Sequence, residues 1–186
     1  LRYRDFLIVA LIVDDLELFP DNWIYIHDPS VRAGRLQNYG NWSPELVMDG
    51  KHSLLGVEYF CSSTDDLWTT SDAELIEIAT SEMDQLGLVD PTRITDGTVV
   101  RVPNAYPVYD DEYQDIVTEI QRWISKCKNM WTVGRNGMHK YNNQDHSMMT
   151  ALLAARRYLG DRVADPWVVN TDAEYLEERR VPRSID

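Results

Sequence analysis

Eight consecutive apolar residues, Phe6–Val13 (FLIVALIV), constrain this chain more than any other stretch. The run is far short of the roughly 20 residues that cross a bilayer. It is rich in β-branched side chains and carries no polar alternation. Such a run predicts a strand buried on both faces. The chain must therefore build a sheet around it, with enough apolar cover to bury both sides.

The following segments supply that sheet. Asn22–His27 (NWIYIH) is an aromatic-rich strand stopped by Asp28–Pro29–Ser30, and Arg32–Tyr39 returns from it as a hairpin partner. Leu54–Phe60 (LLGVEYF) and Thr98–Val102 add two more strands, and Pro103 and Pro107 bracket an irregular stretch, NAYPVYD. Ser71–Leu86 is a helix with a capping box (Ser71 and Glu74), an apolar stripe and a stop at Gly87. A second helix spans about Asp111–Cys127, with Ile116, Val117, Ile120, Trp123 and Ile124 at three- and four-residue spacing.

Met130–Val133 then predicts a short strand ending in a Gly134–Arg135 turn. Asn143, Gln144 and Asp145 open a third helix, about Gln144–Leu159, closed by Gly160. Several strands in succession, not strict alternation, predict an α+β domain. Its sheet should be mixed and largely antiparallel, with about three helices packed on one side. The domain is expected over residues 1–160, followed by a tail over 161–186 with a short helix at Asp172–Arg179. The chain opens abruptly at Leu1 in a strand-like pattern, as a cut would leave it.

Charge narrows the partners. With 31 acidic against 18 basic residues the net charge is −13, which disfavours nucleic acid and anionic membrane surfaces. Cys61 and Cys127 lack metal or CxxC spacing, and Cys127 falls on an apolar helix stripe that predicts a packed thiol. With no secretory signal segment, the expected location is cytoplasmic. His139 and His146 with Asp145 match no metal-ligand spacing, so no metal is expected. There is no GxGxxG after a strand and no GxxxxGK[ST], so a self-contained nucleotide-binding enzyme is not encoded in these residues.

A helix start rich in Asn, Gln and Asp caps its own backbone, but its unpaired N–H groups can also hold an electron-rich ligand. The nearby Gly134–Arg135 adds close backbone approach and a guanidinium that grips phosphate. At this point the sequence resembles a known group. TVGRNGMHKYNNQDHSMMTALLAAR is similar to the C-terminal flavin-contacting segment of FAD-dependent amine-oxidase-type oxidoreductases. Within them it looks closest to protoporphyrinogen-oxidase-like and UDP-galactopyranose-mutase-like proteins. FPDNWIYIHDPSVRAGRLQNYGNWSP, LGVEYFC, LWTTSDAELIEIA, VVRVPNAYPVYD and WVVNTDAEYLEE resemble the same group's substrate domain.

The resemblance implies that the intact protein uses FAD, held largely by a Rossmann half that is missing here and supplied in cis or in trans. Gly134 and Arg135 would meet the phosphate–ribityl region, and Asn143, Gln144 and Asp145 would offer backbone donors to the flavin N1/O2 edge. Asn143 stands where many mutases carry an acid. The substrate pocket would draw on Tyr25, His27, Arg35, Tyr59, Arg101 and Tyr106 from the sheet face. Two other readings stay open: mutase-like chemistry on a nucleotide sugar, and a non-catalytic binding or assembly module. A sheet face left exposed by the missing half would favour self-association.

Overall fold

The computed structural model describes residues 1–47 and 50–170. They fall into two compact units: Arg4–Ala105, and Leu1–Tyr3 with the stretch from Tyr106 onward. The helix expected at Asp172–Arg179 lies outside the described residues.

The first unit is built on a five-stranded sheet in the order β2-β3-β4-β1-β5. In chain order its elements are β1 (Arg2–Val13), β2 (Trp23–Tyr25), β3 (Arg35–Asn38), the one-turn helix α1 (Tyr39–Trp42), β4 (Ser53–Cys61), the one-turn helix α2 (Asp66–Thr69), α3 (Asp72–Gln85) and β5 (Ile94–Val108). The β2–β3, β3–β4 and β1–β4 ladders are antiparallel, with Val9 opposite Val57 and Leu36 opposite Val57 on its other side. β5 runs antiparallel to β1 as well, because Arg93 meets Asp14, Thr95 meets Ile12 and Asn104 meets Asp5.

Only part of the run Phe6–Val13 is buried on both faces. Leu7, Val9, Leu11 and Val13 are fully buried, whereas Ile8, Ala10 and Ile12 on the opposite face are half-buried. The buried set packs with Leu55, Val57 and Tyr59 of β4 against Leu75, Ala79 and Met83 of α3. Each such side chain withdrawn from water contributes roughly 1.5–3 kcal/mol. Of the three long helices predicted, α3 covers this sheet. The other two belong to the second unit.

Two strand boundaries move for physical reasons. β3 starts at Arg35, not Arg32, because the N–H groups of Arg32 and Ala33 donate to the Glu82 carboxylate (2.7 and 3.1 Å) instead of joining a ladder. β5 continues through NAYPV to Val108, where an irregular stretch is predicted. It can do so because it is the outer strand, where a proline forfeits no ladder bond on the open side. At Asn104 (φ 55°) the backbone N–H donates to Asp5 Oδ1 (2.7 Å), a side-chain substitute for a carbonyl.

Glu82 is itself buried, and it also accepts the Tyr59 hydroxyl (2.9 Å). Burial, and then the adjacent Glu82 carboxylate, push the Tyr59 phenol well above its ordinary pKa, so it stays a donor. Ser71 caps α3 by accepting Glu74 N–H (3.3 Å).

The second unit holds α4 (Tyr113–Ile124), the short α5 (Gly134–Met138) and α6 (Gln144–Tyr158), then a 3-10 turn at Pro166–Val168. The strand expected at Met130–Val133 does not form: Val133 is extended (φ −140°, ψ 161°), yet no ladder includes it. No described helix is long and apolar enough to cross a membrane. Cys127, expected to be packed, is half-buried; Cys61 is buried.

Two outcomes are expected. Replacing Glu82 by Ala strands two backbone donors and a phenol, and should cost about 3 kcal/mol or more in urea unfolding, against about 1 kcal/mol for Tyr59→Phe. Burial, reinforced by Asp65 and Asp5, raises the Cys61 thiol pKa. Iodoacetamide at mildly alkaline pH should therefore modify Cys127 well before Cys61, as read by peptide mass spectrometry.

Candidate functional site

The second unit concentrates its polar groups in the loop from Gly134 to Asp145. Gly134 has φ +76°, a left-handed conformation that a side chain would strain. Its N–H donates to Thr150 Oγ1 (3.0 Å) and its carbonyl accepts Asn142 Nδ2 (3.2 Å). The predicted Gly-Arg turn thus continues as the five-residue α5, which ends at His139 in the left-handed region (φ 49°).

Arg135 is held rather than free. Its Nε donates to Asn142 O (2.9 Å), and the guanidinium lies 5.0 Å over the Tyr106 ring. Tyr106 and Tyr141 are 6.2 Å apart, and Tyr109 meets Tyr141 edge-on at 4.8 Å while its hydroxyl accepts Tyr141 N–H (2.9 Å). The result is a guanidinium set among tyrosines at one end of the loop. Cation–π contacts of this kind orient Arg while leaving its outer donors usable.

At the other end Asn143 is the N-cap of α6. It forms a reciprocal capping box with His146, whose Nδ1 accepts Asn143 N–H (3.3 Å). His146 is therefore committed to the cap, and His139 Nε2 faces Val108 O at 3.2 Å. Asn143, Gln144 and Asp145 are all exposed. The Gln144 and Asp145 N–H groups have no place in the α-helical ladder, which leaves two outward donors at a helix start.

The sequence-predicted substrate residues do not share one face. Alternation along β2, β3 and β4 puts Trp23, Tyr25, Arg35, Gln37, Glu58 and Phe60 on the sheet face opposite α3. His27 stacks on Tyr25 (6.5 Å, 17°). The Arg35 guanidinium lies over Trp23 (5.1 Å), Tyr25 (5.7 Å) and Phe60 (5.7 Å), and pairs with the fully buried Glu58, which Gln37 also bonds. Gly56 lets Tyr39 lie flat on this face: a Cβ there would sit 2.6 Å from the Tyr39 hydroxyl. Burial, and then Glu58, raise the Tyr39 pKa.

Tyr59 and Arg101 point to the α3 side. Tyr59 is fully buried on Glu82, so it offers no surface to a ligand. Arg101 is engaged by Trp68 O (3.0 Å), Thr70 O (2.7 Å) and Asp72 (2.6 Å). Tyr106 belongs to the second unit, beneath Arg135.

Sequence reasoning passed over Glu58 and Asn142. A carboxylate inside the apolar strand LLGVEYF was a legible signal, since a buried charge requires a partner. Asn142 gave none, because an Asn beside a helix start reads as ordinary capping.

The fold has solved counterparts. A crystal structure of reduced UDP-galactopyranose mutase superposes with a TM-score of 0.74 at 23% identity, covering 91% of this chain and 38% of that one. The sequence resemblance holds at the level of fold. A structure described as a protoporphyrinogen oxidase from Exiguobacterium sp. 255-15 follows with a TM-score of 0.54 at 14% identity, covering 72% of this chain and 30% of that one. This chain therefore spans well under half the length of either counterpart. No family model matches it, and no curated protein matches it.

The ion pair on the open sheet face should behave as a coupled unit. Arg35→Ala leaves Glu58 buried without its cation and should cost about 3–5 kcal/mol, whereas Arg35→Met combined with Glu58→Leu should restore most of it. Chemical denaturation of the four-member mutant cycle reads the coupling.

Proposed function

We propose that this chain is the substrate-shaping and flavin-capping part of an FAD-dependent oxidoreductase, completed by a Rossmann half in cis or in trans. The observation that carries the reading is the loop from Gly134 to Asp145, which sets a tyrosine-framed guanidinium and a helix start at its two ends on a mutase-like fold. The donor set suits FAD. Arg135 matches a phosphate, and the exposed first-turn N–H groups of Gln144 and Asp145 match the hydrogen-bond-accepting edge of a flavin ring.

When bound, the flavin would supply the redox chemistry. The residues of this chain would do the rest. Arg135 and Gly134 would hold the phosphate–ribityl region, and the α6 start, with Asn143 as cap, would stabilise negative charge at the ring edge. Tyr25, His27 and Arg35 on the open sheet face of the first unit would contact substrate, and Tyr106, within the second unit, would hold Arg135 in place.

Surfaces of the second unit support the missing half as partner. α4 is strongly amphipathic yet buries none of its residues; Trp123 is 60% exposed and Met148 of α6 is 66% exposed. Met130–Val133 makes no backbone–backbone hydrogen bond among the described residues, although it has strand character. Apolar helix faces beside an unladdered extended segment are what a sheet edge with flanking cover would complete.

A second reading, mutase-like chemistry on a nucleotide sugar, is favoured by the higher TM-score to the mutase. Titration of the full-length protein with UDP and UDP-sugars under reducing conditions separates the two.

The expected result is that the full-length protein purifies yellow, with flavin absorbance that gel filtration does not remove. A colourless full-length protein that ignores added FAD sinks the proposal in favour of a binding module. The 186-residue chain alone should bind FAD weakly and self-associate in sedimentation. Trp123→Ser with Met148→Ser should reduce that association.

A further inference from the structure

The loop from Gly134 to Asn143 is held from outside as well as by its own helices. Asn142 is 2% exposed, and both ends of its side chain are used. Its Nδ2 donates to Gly134 O (3.2 Å), which closes the loop on itself, while its Oδ1 accepts Asn170 Nδ2 (3.0 Å). Its backbone carbonyl accepts Arg135 Nε (2.9 Å), and its N–H donates to Lys140 O (2.7 Å).

The same distant segment reaches the loop at neighbouring residues. Asn170 Nδ2 also donates to Tyr141 O (3.2 Å), and Lys140 Nζ donates to Trp167 O (2.7 Å) and Val169 O (3.0 Å). Three consecutive loop residues, Lys140, Tyr141 and Asn142, are thus tied to Trp167–Asn170. That segment is anchored in turn to α6, because Asp165 caps Trp167 N–H (3.0 Å) and pairs with Arg157 (2.9 Å).

We propose that Trp167–Asn170 is a strap, and that Asn142 and Asn170 are positioning residues. They set the place of Asn143 and the α6 donors without touching the ligand those donors receive. The physical reason is adjacency. Asn143 follows Asn142 directly, so a displacement of the Asn142 backbone displaces the cap and the first-turn N–H groups with it. Arg135 is coupled to the same point through its bond to the Asn142 carbonyl. One buried asparagine therefore registers both ends of the loop. A hydrogen bond aimed at a developing charge loses much of its value when misplaced by about an ångström, and supporting residues govern that placement.

The proposal rests on the flavin reading above, and the experiment separates the two. In the full-length protein, Asn170→Ala and Asn142→Leu should weaken FAD binding about tenfold and shift the visible flavin band. Asn142→Asp, which keeps the acceptor for Asn170 and loses the donor to Gly134, should fall between. In the 186-residue chain without FAD, amide exchange in Asn170→Ala should rise across residues 139–145 and stay unchanged in α3. Wild-type-like affinity, spectrum and exchange in the variants would overturn the strap. If the wild-type full-length protein binds no FAD, the flavin reading fails and exchange alone decides: acceleration confined to 139–145 supports the strap, and its absence overturns it.

Discussion

One carboxylate decides how the long helix meets the sheet. Glu82 sits on the inward face of α3 and gathers the N–H groups of Arg32 and Ala33 and the hydroxyl of Tyr59. The helix, the approach to β3 and the centre of β4 are thereby fixed to one point. Apolar contact alone would let these layers slide, since dispersion and burial have little directional preference. A charged acceptor with three donors does not slide. Asp5 works similarly between β1 and its surroundings, accepting the N–H groups of Ser63 (2.6 Å) and Asn104 (2.7 Å). The acidic excess of the sequence is thus spent partly inside the first unit as structural acceptors.

The opposite face of the same sheet solves a different problem. Glu58 is as buried as any core leucine, but its partners are Arg35 and Gln37, under a cover of Trp23, Tyr25 and Phe60. A buried ion pair is poor value as pure stabiliser. Its placement among half-exposed aromatics gives the face a polar centre with a fixed orientation.

Period and punctuation made much of this legible. The apolar run of β1, the stripe and Ser71 cap of α3, and the Asn143 cap of α6 all follow from side-chain chemistry within a few residues. What escaped depends on neighbours remote in sequence. NAYPV reads as irregular because Pro103 and Pro107 lack donors, and only an outer position in the sheet makes that harmless. Met130–Val133 has strand composition, but a strand exists only with a ladder partner. In the candidate site, the Gly134 turn and the Asn143 cap of α6 follow from local chemistry. The Asn142–Asn170 bond joins residues 28 positions apart, and nothing local announces it. The Tyr59–Glu82 bond is equally silent in the sequence, because Glu82 lies on another element.

The outer strand carries a last consequence. β5 runs fifteen residues at the sheet boundary, long enough to recruit a strand from another molecule. Pro103 and Pro107 cannot donate, and Asn104 between them turns to φ 55° with its N–H given to Asp5. An incoming strand would therefore find no donor at Pro103 or Pro107, whereas Ile94–Val102 carries no proline. The same residues that obscure β5 in the sequence thus make its last third a poor template for edge-to-edge pairing.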